Sequence, residues 1–174
     1  MPQSLEERVA RLEALHDIAE LKAWYARLAD AKYTAAHQRV GPEEWERIAR
    51  RQAECFAEDA RWFGGSEFGG TLTGRDALTE WFKKSPWRFA LHYYVGSDVT
   101  LLAPEKAEGH WRLWQLAIPL DAKHPILLAG VTREAYRRIG GEWLVESMRF
   151  EQVHTVDLSK APAELRCVLA PADK

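Results

Sequence analysis

Asp30 and His92 are the residues of this chain whose types best suit acid–base chemistry on a small molecule. Asp30 closes the run Trp24-Tyr25-Ala26-Arg27-Leu28-Ala29-Asp30. A carboxylate there is either a solvated group at a fraying helix end or the partner of a catalytic base. His92 sits in Phe89-Ala90-Leu91-His92-Tyr93-Tyr94-Val95, an apolar, aromatic stretch. Alternation puts Ala90, His92 and Tyr94 on one face, with Leu91, Tyr93 and Val95 on the other. An imidazole in that setting is either a satisfied core histidine or a general base, since histidine titrates nearest physiological pH. With Asp30 beside it, the carboxylate would fix the tautomer and stabilise the imidazolium. At helical spacing, Tyr25 and Asp30 would flank a cavity rather than stack.

Other chemistries find less support. His16, His37, His110, His124 and His154 show no ligand spacing with Cys, Asp or Glu, so no metal site is expected. The chain has no phosphate-binding glycine loop, no dinucleotide glycine pattern and no serine nucleophile elbow. A net charge of -2 argues against a nucleic-acid partner. No apolar run approaches membrane-spanning length. Cys55 and Cys167 stand far apart, which suits a reduced, cytoplasmic protein. Arg112, Arg133 and Arg149 fall on strands and read as sheet-surface charges. One inward arginine, Arg149 being the candidate, could instead stabilise an enolate or phenolate. Eight tryptophans read either as a large-residue core or as a cavity for a flat aromatic or polycyclic ligand. Trp62, Trp81, Trp87 and Trp111, with Tyr94, are the candidate walls.

The elements that must position these groups follow from spacing. Ser4 is a fair N-cap, with Glu6 and Glu7 in the first turn. Leu5, Val9, Leu12, Leu15, Ile18, Leu21, Tyr25 and Leu28 then form a helical stripe. Ala31 to Val40 is a connector. Gly41-Pro42-Glu43-Glu44 opens a second helix, which Phe56-Ala57-Glu58-Asp59-Ala60 closes ahead of a short strand, Arg61-Trp62-Phe63. Gly64, Gly65, Gly69 and Gly70 make a flexible loop suited to a pocket rim. Residues 74–82 read as a third helix, stopped by Pro86. Four long strands follow, at 89–102, 106–120, 125–139 and 142–156, with Gly140-Gly141 as a two-residue hairpin turn. An irregular tail begins near residue 157. Helices followed by consecutive antiparallel strands make one α+β domain over residues 1–174, a cone-shaped α+β barrel with N-terminal helices packed on a curved antiparallel sheet.

These residues resemble the SnoaL-like domains of the NTF2-like superfamily, over about Leu5 to Thr155. The resemblance rests on Tyr25-x-x-x-x-Asp30, on Cys55-Phe56-Ala57-Glu58-Asp59-Ala60 and on Gly74-Arg75-Asp76-Ala77-Leu78. It rests also on His92 early in a long strand, and on Gly130-Val131-Thr132-Arg133-Glu134 with Gly141-Glu142-Trp143 closing the last hairpin. Members with an Asp and a His at these places are cofactor-free lyases. They include bile-acid dehydratases, scytalone dehydratase-like enzymes, hexachlorocyclohexane dehydrochlorinases and lyases that remove formaldehyde from lignin-derived diarylpropanes.

By that resemblance Asp30 and His92 form a catalytic dyad, and Tyr25 hydrogen-bonds the leaving group or the base. The implied protein needs no cofactor, acts on a bulky aromatic or polycyclic small molecule, and assembles as a homotrimer or homodimer. The same fold also serves as a non-catalytic ligand-binding module, as the β subunit of ring-hydroxylating dioxygenases, and as an isomerase or polyketide cyclase. Two departures bear on the pocket: Thr132-Arg133-Glu134 stands where Tyr-x-Asp is common, and Ala31 to Arg39 is longer than usual.

Overall fold

The computed structural model describes residues 4–159 apart from residue 67. Helix α1 spans Leu5–Asp30. Its start is set by a capping box: the Ser4 hydroxyl accepts from the Glu7 amide at 3.1 Å, and Glu7 accepts from the Ser4 amide at 2.8 Å. The stripe that predicts α1 holds only over its later turns. Leu5, Val9 and Leu12 are exposed, whereas Ile18, Tyr25, Leu28 and Ala29 are buried. The first turns of α1 therefore project beyond the sheet, and only the half nearest Asp30 packs.

Helix α2 spans Pro42–Glu54 and α3 spans Arg75–Lys84. The Phe56-Ala57-Glu58-Asp59-Ala60 run is not the end of α2, as its sequence suggests. It is the first part of strand β1, Phe56–Phe63. Its buried and exposed residues come in pairs across a register shift against the neighbouring strand, which hides the strand period. A three-residue strand β2, Thr71–Thr73, pairs antiparallel with β1. The long strands are β3 (Trp87–Ala103), β4 (Lys106–Pro119), β5 (Ile126–Ile139) and β6 (Glu142–Asp157). Residues 160–174, which contain nearly all of the expected tail, lie outside the described residues.

The sheet order is β2-β1-β6-β5-β4-β3. It is antiparallel except where β1 runs parallel to β6, and it does not close on itself. The expected curved antiparallel sheet thus carries one parallel seam, where the first strand lies beside the last. Curvature comes from bulges. One lies in β3 between Val95 and Asp98, where Gly96 takes a φ of 61° that a side chain would resist. Gly140 and Gly141 both have positive φ, as the two-residue turn between β5 and β6 requires.

Helix α1 lies against β3 and β6, and α2 packs on α3. On β4, buried Trp111, Leu113, Gln115 and Ala117 alternate with residues on the open face, the period expected of a half-covered strand. Ile18, Phe56, Leu78, Leu113, Val145 and Met148 are almost wholly buried between the layers. Truncating one such large side chain to alanine costs about 2–5 kcal/mol. No helix among the described residues is long and apolar enough to cross a membrane.

Candidate active site

The C-terminus of α1 meets β3 at Asp30 and His92. Asp30 Oδ1 accepts from the His92 backbone amide at 2.9 Å and lies 2.8 Å from His92 Nδ1. Helix α1 ends there because the chain turns away: the Tyr33 amide donates to Asp30 O, and residues 32–40 fold into a small hairpin closed by Val40 on Lys32. The carboxylate is thereby held at the edge of β3 rather than left in solvent. His92 is mostly buried, and its Nε2 has no hydrogen-bond partner among the described residues. This is the geometry of an imidazole whose Nδ1–H is fixed by a carboxylate and whose Nε2 is free to take a proton.

His92 borders a cavity of about 60 Å³ whose wall also includes Tyr25, Trp62, Trp81, Trp87 and Tyr94. Of the residues singled out in the sequence, these come together around one space. Trp111 and Arg149 do not. Trp111 is turned into the core, where its Nε1 donates to the Tyr136 hydroxyl at 2.8 Å. Arg149 lies on the opposite side of β6 from the cavity, with its guanidinium 4.1 Å from the Phe63 ring centroid. Its neighbours in the sheet alternate inward and outward, and Arg149 takes an outward place between buried Met148 and half-buried Phe150.

Tyr25 crosses Phe56 and Phe82 edge-to-face and lies 6.1 Å from the Tyr94 ring, centroid to centroid. Burial, reinforced by the Glu134 carboxylate, pushes the Tyr25 phenol far up, so it remains a hydrogen-bond donor at any working pH. Burial does the same to Tyr94. The Gln52 side chain and the Tyr94 hydroxyl lie near the Tyr25 hydroxyl.

Behind these tyrosines lies a buried polar cluster. Glu134 accepts from Lys22 Nζ, from Thr132 Oγ1 at 2.6 Å and from the Tyr136 hydroxyl. Thr132 and Glu134, the departure noted in the sequence, thus face inward on β5 to receive Lys22 from α1. Lys22 Nζ also stands 3.6 Å from the Tyr94 ring centroid. Burial lowers the Lys22 pKa, and the Glu134 carboxylate offsets that in part.

Gln52, Gln115 and Lys32 also reach the cavity, and sequence reasoning missed all three. Gln115 is cross-strand from His92 on β4, buried, and its Nε2 has no partner. Gln52 Oε1 is likewise unpaired. Strand alternation alone could have placed Gln115 on the inward face with Leu113 and Ala117. Nothing in the sequence marks Lys32 as buried.

The cavity is partitioned from a larger outer groove of about 590 Å³. Phe68, Pro86, Trp87 and Phe150 border both spaces. The Phe68 and Phe150 rings stack at 4.9 Å and 14°. Phe68 is fixed by its own carbonyl, which accepts from Trp62 Nε1 at 2.6 Å. Gly64 makes that bond possible, since a Cβ there would lie 1.8 Å from the Phe68 oxygen.

Solved structures of the same architecture come from several bacteria. Hexachlorocyclohexane dehydrochlorinase LinA-type3 of Novosphingobium barchaimii superposes with a TM-score of 0.73 at 18% identity, covering 94% of this chain and 99% of its own. A scytalone dehydratase-like protein of Novosphingobium aromaticivorans gives 0.71 at 15% identity, covering 94% and 99%. An NTF2-like protein with a cystatin-like fold from the same species gives 0.56 at 18%, covering 86% and 90%. None of the curated sequences compared with the chain matches it significantly. These likenesses share the cone of helices on an open sheet described above. Residues 10–149 match the SnoaL-like domain, and the chain belongs to that family.

Proposed function

We propose that this protein is a cofactor-independent lyase acting on an aromatic small molecule, with His92 as the base. The observation that carries the reading is the Asp30–His92 contact at 2.8 Å beside an aromatic cavity. His92 Nε2 takes a proton from the substrate, and the Asp30 carboxylate stabilises the imidazolium that forms. In a dehydration the C–H electrons become the new double bond, the C–O bond breaks with Tyr25 hydrogen-bonding the departing oxygen, and the hydroxide leaves as water with the proton His92 took. In loss of formaldehyde the proton comes from a primary alcohol and the C–C bond breaks as its carbonyl forms; the freed electron pair becomes a C=C bond as the neighbouring C–O bond breaks, and that hydroxyl leaves as water with the proton His92 took. Both need one base, one oxygen donor and a site that excludes water. The unpaired Gln115 Nε2 supports the reading as a second donor to a substrate oxygen. Fold relatives named as a dehydrochlorinase and as scytalone dehydratase-like support it by analogy.

The inner cavity of about 60 Å³ holds only about four or five waters. A bulky substrate must therefore place its reacting end there, displace the aromatic partition, and lay its remainder in the outer groove. Assembly as a homotrimer or homodimer belongs to the same proposal. It is supported by Tyr93 and Trp114, register partners on the open face of the sheet, and by nearby Val95, all about half exposed. A reducing, cytoplasmic setting is proposed with it, on the single buried free thiol among the described residues, Cys55.

The test is mass-spectrometric product analysis with hydroxylated steroids and lignin-type diaryl diols, in chelator and without added cofactor. Loss of water or formaldehyde that disappears in both His92→Ala and Asp30→Asn is expected. Turnover that survives both substitutions contradicts the reading. Ligand binding without turnover, equal in all three proteins, replaces it with a binding module.

A further inference from the structure

Among the described residues, Lys32 is the one ammonium on the wall of the cavity that His92 borders, and it is only 3% exposed. One of its three N–H donors goes to the Phe82 carbonyl at 3.0 Å, near the C-terminal end of α3. Aromatic rings of Trp45 and Phe82 flank it at 5.4 and 5.2 Å. The charged group that acts on it, the Arg39 guanidinium, has the same sign. Arg39 itself is spent on the Ser85 and Trp87 carbonyls. The neighbouring carboxylate, Asp30, bonds His92 through Oδ1 and is not among the charged groups that act on Lys32. Neighbouring Tyr33 is tied to the Ser85 hydroxyl at 3.1 Å. A buried ammonium with spare donors and no anionic partner is costly to keep, and a structural bond to one carbonyl needs only a neutral donor.

We propose that Lys32 is an anion subsite, and that the molecule bound beside His92 presents an acidic oxygen to it, a phenol or a carboxylic acid. The proposal rests on the lyase reading only for the position of the reacting end. Burial, with Arg39 adding to it, lowers Lys32 to about 7. A neutral amine is therefore on hand near neutral pH. A phenol entering uncharged gives its O–H proton to Lys32 Nζ, and the products are an ammonium and a phenolate in contact. No net charge then has to be carried into the cavity. A carboxylate, already ionised near neutral pH, pairs instead with Lys32 in its protonated form. The substrate is thereby narrowed from an aromatic molecule to one with an ionisable oxygen, held by Lys32 where the sequence suggested an arginine.

Three probes test this in wild type, Lys32→Met and His92→Ala near neutral pH: 4-nitrophenol, 4-nitrobenzoate and the neutral ether 4-nitroanisole. Affinities come from equilibrium titration, and the ionisation of bound nitrophenol from its absorbance. Wild type is expected to bind at least one of the acidic probes about tenfold or more tighter than the ether, with nitrophenol bound as the phenolate. Lys32→Met is expected to lose that preference while still binding the ether, which shows its cavity intact. His92→Ala is expected to keep the preference, so the subsite stands or falls separately from the lyase reading. Tighter phenolate names a phenol as the ligand class, and tighter benzoate a carboxylic acid. Nitrophenol bound un-ionised to wild type together with no preference for benzoate over the ether, an acid preference that survives Lys32→Met, or failure of all three probes to bind wild type overturns the proposal. The first and last need no variant that folds.

Discussion

The Asp30 carboxylate meets His92 twice, at the ring nitrogen Nδ1 (2.8 Å) and at the backbone amide (2.9 Å), through the same oxygen, Oδ1. One acceptor thus sets both the imidazole and the strand that carries it. Asp30→Asn and Asp30→Ala should separate these roles. Asn keeps an acceptor oxygen for the amide but cannot stabilise an imidazolium, so stability should change by less than about 1 kcal/mol. Ala leaves the His92 amide without its acceptor and should cost about 1–3 kcal/mol. Both should lower turnover by about 10²–10⁴-fold. Urea denaturation beside the product assay checks the pair of outcomes.

The buried Lys22–Glu134 pair makes a sharper stability prediction. Each side chain is essentially inaccessible to solvent. Lys22→Met strands the Glu134 carboxylate, and Glu134→Leu strands Lys22. Either should cost about 3–5 kcal/mol, whereas the double variant should recover much of the loss. A double-mutant cycle by thermal or chemical unfolding measures this. Additive single and double effects would mean that the two groups do not act as a pair.

Lys32 predicts a pH dependence of stability. Its value is about 7 in the folded chain against an ordinary 10.5. Between those values the unfolded state binds more protons than the folded state, so stability rises with pH from about 7 upward. The slope is at most about 1.4 kcal/mol per pH unit. Below about 7 the lysine is charged in both states and adds no slope. Lys22 slopes the same way, so the informative quantity is the difference between wild type and Lys32→Met. Unfolding free energies from pH 7 to about 8.5, before Cys55 contributes in the opposite sense, should climb more steeply in wild type. Equal slopes would contradict the burial of a lowered lysine.

Phe150 stacks on Phe68 in the partition between cavity and groove. Phe150→Ala should join the two spaces. The expected result is a fall in stability of about 1–3 kcal/mol, since Phe150 is only partly buried, with tighter binding of larger aromatic ligands. Fluorescence titration with a series of one-, two- and three-ring phenols reads this out. No gain for the larger members would place the route to His92 elsewhere.

Much of this arrangement is legible in the sequence where a period or a cap carries it. The Ser4 cap, the end of α1 at Asp30, the four long strands and the Gly140-Gly141 turn follow from local rules. The inward face of Ala90, His92 and Tyr94 follows from alternation. What local rules miss are residues whose burial is decided by distant partners. Lys22 is buried because Glu134 waits for it on β5, and Lys32 because the hairpin after α1 folds it under Phe82. Trp111 looks like a pocket wall until Tyr136, on the same inward face of the neighbouring strand, claims its indole N–H. The start of β1 was hidden by its paired burial pattern, and the expected helix end there reflects the helical propensity of Ala57, Glu58 and Ala60.

The most direct test of the central claim is nitrogen-15 NMR of the His92 ring in wild type and Asp30→Asn. In the proposed lyase, Asp30 holds the proton on Nδ1 and leaves Nε2 as the free base toward the cavity. The expected spectrum at neutral pH shows the Nδ1–H tautomer in wild type, with an unprotonated Nε2, and a disturbed tautomer ratio in Asp30→Asn. A wild-type ring protonated at Nε2 alone, or a tautomer ratio untouched by Asp30→Asn, would contradict the role assigned to this pair.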